Sequence, residues 1–244
     1  MPVQNKFLHH TACSNCGSSD ANAVYADGSL FCFSCSNYVA NEISGYVSDH
    51  QKAQEHSEIF VPHDIGNEFP QECIDWISKY EITVADLISY GIKWSPSRKQ
   101  LIYIYQKIKD DKGIGCVQAR NFAGGPKYYN QGDVNDVLPI YSCGSSDLII
   151  VEDVMSAIKC TKAWFVDALP LLGSHLSYYK MALLKGKKYE RVWFWLDHDK
   201  YSQSVTMGNR LKMMGIKSDI IVTEEDPKVL PINDIATICI DRMF

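Results

Sequence analysis

The run Val192-Trp193-Phe194-Trp195-Leu196 constrains the fold more than any other stretch of this chain. Five consecutive apolar residues, β-branched and aromatic among them, describe a strand buried on both faces, as in a parallel sheet. The run stops abruptly at Asp197-His198-Asp199-Lys200, so two carboxylates follow it one residue apart. Open parallel sheets bind ligands outside the carboxyl ends of their strands. Asp197 and Asp199 leave the chain at i and i+2, and at a strand end they can face one way and share a hard cation. The competing reading is a helix cap, because an Asp between a strand and a helix commonly serves as one.

The neighbouring sequence repeats the alternation. Leu148-Ile149-Ile150-Val151 ends in Glu152-Asp153. Trp164-Phe165-Val166 is followed by Gly173-Ser174 and a helical pattern from Leu176 to Leu184. A helix is expected from about Ser202 to Met214, and Ile220-Ile221-Val222 closes a fourth strand. Strands alternating with helices imply an α/β fold with right-handed crossovers. An acid after the first strand and two after the third can converge on one edge. That set suits Mg²⁺, which takes a few carboxylates and keeps waters for phosphate oxygens.

Near the N-terminus stands a second constellation, Cys13-x2-Cys16 and Cys32-x2-Cys35, fifteen residues apart. Two CxxC knuckles at ribbon spacing supply the four tetrahedral ligands of one structural Zn²⁺, with a redox dithiol pair or an iron site as the alternatives. Ala23-Val24-Tyr25 and Leu30-Phe31 are expected to be short strands joined through Asp27-Gly28, a strong hairpin signal. So few apolar residues form no core, which leaves the metal to hold the module together. His9 and His10 are surface residues on this reading, since four thiolates fill the shell. Tyr25, Phe31 and Phe33 are candidates for stacking on unpaired bases or for packing around the metal.

From Val39 to Ser57 the composition turns polar without a visible period, as in a linker. Pro70 then opens a helix with Cys73, Ile74, Trp76 and Ile77 at helical spacing. Thr83 caps a second, with Val84, Leu87 and Ile88 inward, ending near Gly91. Leu101 to Tyr105 and Ile114 to Gln118 read as a hairpin around Asp110-Asp111-Lys112-Gly113. Beyond it, Arg120 and Lys127 bracket Gly124-Gly125-Pro126, with amide and aromatic neighbours through Asn130. Arg offers a bidentate fork and Lys a point charge, a pairing suited to a triphosphate or a nucleic-acid backbone. A plain charged hairpin is the competing reading.

The net charge of −5 argues against a protein that coats nucleic acid. Residues 91–127, however, carry eight basic side chains against two acidic ones, an electrostatic footprint for phosphate. No apolar run approaches the length of a membrane span and the N-terminus lacks a signal pattern, so no membrane partner and a cytoplasmic location are expected. The five remaining cysteines (Cys73, Cys116, Cys143, Cys160, Cys239) are scattered singly. They read as buried thiols of a reducing compartment.

A strand ending in Glu152 and another ending in Asp197-x-Asp199, in a small Rossmann-like sheet, resemble the TOPRIM domain. With the ribbon of Cys13, Cys16, Cys32 and Cys35 and the basic segment Gln118 to Asn130, the chain resembles the DnaG-like TOPRIM primases, nearest to the primase half of podophage helicase–primases. The likeness runs from Cys13 to about Pro231, and Asp226-Pro227-Lys228 looks like the family's closing motif. The resemblance implies a DNA primase that makes short RNA primers on single-stranded DNA. Glu152, Asp197 and Asp199 would hold one or two Mg²⁺ ions, or Mn²⁺ in their place, and Arg120 and Lys127 would bind NTPs. It further implies residues 1–38 as template-binding ribbon, 39–57 as linker, 58–143 as the first part of the polymerase core, 144–230 as TOPRIM domain and 231–244 as tail. The P-loop signature G-x-x-x-x-G-K-[ST] is absent, so a replicative helicase supplied in trans, and a DNA polymerase, are the expected protein partners. The host cytoplasm is the expected setting if a phage encodes the chain. The family's usual acid four residues after the Glu is Ser156 here, and Asp153 either helps to hold metal or caps the helix. The rivals are a TOPRIM nuclease and a non-catalytic zinc-ribbon adaptor for single-stranded DNA.

Overall fold

The computed structural model describes residues 7–26, 28–35, 37–39, 59–108, 113–163, 166–173, 176–187 and 189–243. The chain divides into two compact units, residues 1–56 with 173–175 and residues 57–172 with 176–244. The expected linker falls almost wholly on residues 40–58, outside the described residues.

In the smaller unit β1 (Phe7–Thr11), β2 (Asn22–Tyr25), β3 (Leu30–Cys32) and β4 (Tyr38–Val39) form an antiparallel meander in chain order. β2 and β3 are the strands expected between the knuckles. Gly28 stands between them at φ +80°, where a Cβ would be strained. Its expected turn partner Asp27 lies outside the described residues. Among the described residues, Cys13, Ala23 and Cys32 are this unit's buried apolar positions. The core is largely made of the cysteines themselves.

The larger unit begins with α1 (Gln71–Ser78) and α2 (Val84–Ser89). Thr83 caps α2 through a full capping box with Asp86. Leu87 is buried, but Ile88, expected inward, is 43% exposed because so short a helix buries only one face. An antiparallel sheet follows: β5 (Lys93–Ser95), β6 (Gln100–Gln106), β7 (Ile114–Asn121) and β8 (Tyr128–Gly132). β6 and β7 pair as expected, and residues 109–112 of their turn lie outside the described residues.

The parallel sheet is built from β9 (Asp147–Val151), β10 (Asp167–Pro170), β11 (Arg191–Phe194) and β12 (Lys217–Ile220), in the order β10-β9-β11-β12. Between them run α3 (Val154–Lys162), α4 (Tyr178–Gly186) and α5 (Tyr201–Met213). Alternate residues of β9 and β11 enter different cores. Ile149, Val151, Trp193 and Trp195 face α3 and the aromatic face of the antiparallel sheet, while Leu148, Ile150, Val192 and Phe194 face α4 and α5. Burial on both faces is why these strands read as continuous apolar runs.

Three expectations shift. The strand expected at Trp164-Phe165-Val166 starts instead at Asp167, with Trp164 and Phe165 outside the described residues. The fourth strand ends at Ile220, and Val222 is 44% exposed. Residues 231–244, expected as a tail, contain α6 (Ile232–Met243), which buries Ile235 and Cys239 in the core beside α3. Pro231, fixed at a helix-compatible φ, precedes it.

Two acids serve the framework. Asp147 takes two hydrogen bonds from Arg191, its register partner, at 3.1 and 2.8 Å. Asp167, 4% exposed, accepts from the Ser142 and Tyr189 hydroxyls and from the backbone N–H groups of Cys143, Gly144 and Ser145. Burial raises its pKa, but these donors outweigh it and hold the carboxyl below its ordinary value. Its contribution to stability is therefore present above the unfolded carboxyl's value near 4 and is lost as pH falls through the folded one. Asp167→Ala should cost about 2–3 kcal/mol in urea unfolding at pH 7, since it strands buried donors. An unchanged denaturation midpoint would contradict this role.

Candidate active site

In the parallel sheet, chain order reverses between β9 and β11. That switch point is where open α/β sheets hold ligands, outside the strands' carboxyl ends. Glu152 is the first residue beyond β9, and Asp197 lies just beyond β11. The structure brings these two together and adds a third acid, Asp226, from the loop after β12. Asp197 keeps a proton: burial first, then hydrogen bonds with Asp226 and Glu152 and their charges, push its pKa up to about 8. Asp226 is held below its ordinary value. Burial opposes that, but hydrogen bonds from Asp197 and Lys228 outweigh it.

Asp153 caps α3, accepting from Ser156 N at 3.0 Å and Ser156 Oγ at 3.2 Å. Lys228 Nζ bridges Asp153 Oδ2 at 2.8 Å and Asp226 Oδ2 at 2.7 Å. Burial alone would lower the Lys228 pKa, yet the two carboxylates raise it above the usual lysine value. Asp199 stands apart in the turn that leads into α5. Its side chain is 72% exposed and lies 3.3 Å from Lys200 Nζ.

On the antiparallel sheet, Arg120 is the last residue but one of β7 and pairs with Tyr128. Its guanidinium carbon lies 5.0 Å from the centroid of Trp76, 5.1 Å from Phe122 and 5.3 Å from Tyr128. Its Nη1 donates to the Asn121 carbonyl at 2.6 Å, and its buried Nε has no hydrogen-bond partner among the described residues. Cation–π contact thus holds the group in one pose. Burial raises the Tyr128 hydroxyl's pKa, and the charges acting on it are Asp153, Arg120 and Lys228. The basic hairpin and the acids belong to one compact unit, and Tyr128, which touches Arg120, feels the charges of Asp153 and Lys228. Lys127 is exposed at the hairpin's end, and its carbonyl accepts from Asn121 N at 2.9 Å.

The smaller unit holds the other cluster. The sulfurs of Cys13, Cys16, Cys32 and Cys35 all lie within 4.8 Å of one another, a group that could hold a metal ion. Cys13 Sγ is 3.7 Å from Cys35 Sγ, and Cys16 Sγ is 3.6 Å from Cys32 Sγ. Phe33 is 62% exposed beside Phe31, at 5.0 Å between ring centroids, and beside His10 at 6.2 Å.

In the sequence, Asp226 and Lys228 carry no signal beyond the likeness of Asp226-Pro227-Lys228 to a closing motif. Asp-Pro in a loop reads as a turn, and no apolar run precedes it closely enough to mark a strand end. The aromatic enclosure of Arg120 was equally hidden, because Trp76 comes from α1, far away in the chain.

No protein-family model matches the chain. Over 37 residues it is 60% identical to the DNA helicase/primase of Enterobacteria phage T3, a match that spans 15% of this chain and 6% of that protein. Solved structures align along far more of it. The primase fragment of the bacteriophage T7 primase-helicase protein aligns with TM-score 0.52 at 15% identity, covering 98% of this chain and 100% of that one. The zinc binding and RNA polymerase domains of the Aquifex aeolicus primase align with TM-score 0.57 at 12% identity, covering 96% and 77%. The DnaG primase catalytic domain bound to ssDNA aligns with TM-score 0.55 at 13% identity, covering 69% of each chain. The chain has the fold of these primase fragments, and at that level the likeness to DnaG-like primases read from its motifs is borne out.

The Asp197 pKa gives a pH dependence. A carboxyl whose folded value is raised stabilises fully below its unfolded value near 4, and that contribution is lost as pH rises through about 8. In a chelator of divalent ions, the melting temperature should fall between pH 5 and pH 9, and Asp197→Asn should flatten the fall. A wild-type melting temperature that rises over this range, or an equal slope in the variant, would contradict the protonated Asp197.

Proposed function

We propose that the protein is a DNA primase, which copies single-stranded DNA into short RNA primers during DNA replication. The observation that carries this reading is the meeting of Glu152, Asp197 and Asp226 at the sheet's switch point, in the same compact unit as the aromatic-held Arg120. The primase fold of the solved neighbours supports it. On this reading β9 to β12 form a TOPRIM domain.

The acids fit a divalent cation. Burial first, and then the adjoining Asp226 and Glu152, raise the Asp197 pKa, and a hard cation with oxygen ligands would relieve the repulsion among the three. Glu152, Asp197 and Asp226 would hold Mg²⁺, or Mn²⁺ in its place, with Asp199 on the exposed side. When bound, the ion balances charge that builds on the attacking and leaving oxygens of nucleotidyl transfer. In that transfer the 3′-hydroxyl of one ribonucleotide attacks the α-phosphorus of the next, and pyrophosphate leaves. Arg120, fixed by Trp76, Phe122 and Tyr128, meets the triphosphate without first having to be ordered, and Lys127 adds a mobile point charge. Glu152 either ligates the ion or accepts the hydroxyl proton.

The four thiols suit one structural Zn²⁺. Sulfurs about 2.3 Å from a tetrahedral ion stand about 3.8 Å apart, close to the 3.6 and 3.7 Å separations. Rigid once loaded, the ribbon presents Phe33 and its neighbours to unpaired template bases, which stack on aromatic faces. A replicative helicase, and a DNA polymerase that extends the primer, are the implied protein partners.

With four NTPs, Mg²⁺ and a mixed-sequence DNA single strand, the wild type should make labelled oligoribonucleotides, and Asp197→Ala should lower the yield at least 100-fold. Near-normal synthesis by that variant would overturn the site. Degradation of the DNA with Mg²⁺ alone would identify a nuclease, and DNA binding without product would identify an adaptor. Cys32→Ser, or zinc removal, should impair template-directed initiation far more than NTP binding, and equal loss of both would contradict a template-reading ribbon.

A further inference from the structure

One charge at the site has no part in the reaction above. Lys228 Nζ sits between Asp153 and Asp226, at 2.8 and 2.7 Å. It is not a loose surface side chain. Its backbone carbonyl accepts from Lys159 Nζ at 2.9 Å. Lys159 is 1% exposed and pairs with Glu81 at 3.0 Å, so a buried residue of α3 pins the loop that carries Lys228.

The surrounding acids are already committed on this side. Asp153 spends one oxygen on the α3 N-terminus and the other on Lys228 and the Ser156 hydroxyl. Asp226 gives Oδ2 to Lys228 and hydrogen-bonds to Asp197. Two-metal sites for phosphoryl transfer place their ions roughly 3.5–4 Å apart, and each ion needs carboxylate oxygens of its own. An ammonium is a compact point charge with three donors, and here it fills the space between two carboxylates that a second ion would need. Ionised, Glu152, Asp153, Asp197 and Asp226 carry four negative charges, and Lys228 cancels one of them.

We infer that Lys228 is a tethered cation in the place of a second divalent ion, so that this cluster binds one Mg²⁺ or Mn²⁺ and not two. The inference rests on the metal-dependent site proposed above. It assigns the bound ion to Glu152, Asp197 and the side of Asp226 that faces Asp197, while Asp153 and Lys228 close the other side. A neutral residue at 228 would free both acids and open a second site.

Counting bound Mn²⁺ tests this without reference to activity. The zinc-loaded full chain is titrated with Mn²⁺ near pH 8 without nucleotide, and free Mn²⁺ is read by its EPR signal. The wild type and Lys228→Arg should each bind one ion in the millimolar range or tighter, and Lys228→Met should bind two. Two ions on the wild type, or one on a folded Lys228→Met, would overturn the inference and leave the primase reading intact. No Mn²⁺ bound by the wild type, or binding unchanged in Asp197→Asn, would remove the metal site itself. If circular dichroism shows Lys228→Met unfolded, the wild-type count decides alone: one supports the inference and two overturns it.

Discussion

Carboxylates crowded at the end of a buried sheet cannot all ionise without a cation, and this constraint governs the molecule. Glu152 and Asp197 lie just beyond strands that pair in register and are apolar on both faces. Moving the acids apart would mean breaking that pairing or exposing the cores beneath it. The packing of β9 against β11 therefore holds the repulsion in place, and the protein answers it with a proton on Asp197 and an ammonium at Lys228. On the proposed reading, a divalent ion displaces the proton and leaves the ammonium in place. The acid at the other end of the sheet shows the contrast: Asp147 is matched by Arg191 in an ion pair at 2.8 Å.

The basic side is arranged by a different force. Arg120 lies among three aromatic rings drawn from α1, the end of β7 and β8. The same aromatic surface, with Trp94 against Phe122 and Trp76 against Tyr80, joins the antiparallel sheet to the helices before it. One core thus sets the pose of the cation and the place of the acids, because Trp193 and Trp195 of the parallel sheet bury into it as well. In the smaller unit the hydrophobic contribution is slight, and four sulfurs gathered at one point take over the work of a core.

The sequence made the strands with purely apolar interiors plain, since period-free runs such as Leu148 to Val151 have few other uses. The cysteine spacing was equally legible. The start of β10 is hidden in the sequence because it opens on Asp167, a buried acid whose five donors come from segments distant in the chain. α6 is faint in the sequence because its apolar positions, Ile235 and Cys239 among them, are interrupted by polar and charged residues of the solvent face. The acid cluster was half legible. Strand ends announce Glu152 and Asp197, but Asp226 enters from a loop, and only the folded chain shows that it hydrogen-bonds to Asp197. Asp199, suggested by spacing alone, stands in a turn that carries it outward, with its charge beside Lys200.

If strand pairing forces these acids to share one cation, that ion has a defined position. Crystals soaked in Mn²⁺ and measured at the manganese absorption edge test this most directly. The account predicts an anomalous peak in contact with the Glu152 and Asp197 carboxylates, absent from crystals of Asp197→Asn. A map with no peak between those two residues, or with its strongest manganese peak elsewhere on the larger unit, would contradict it.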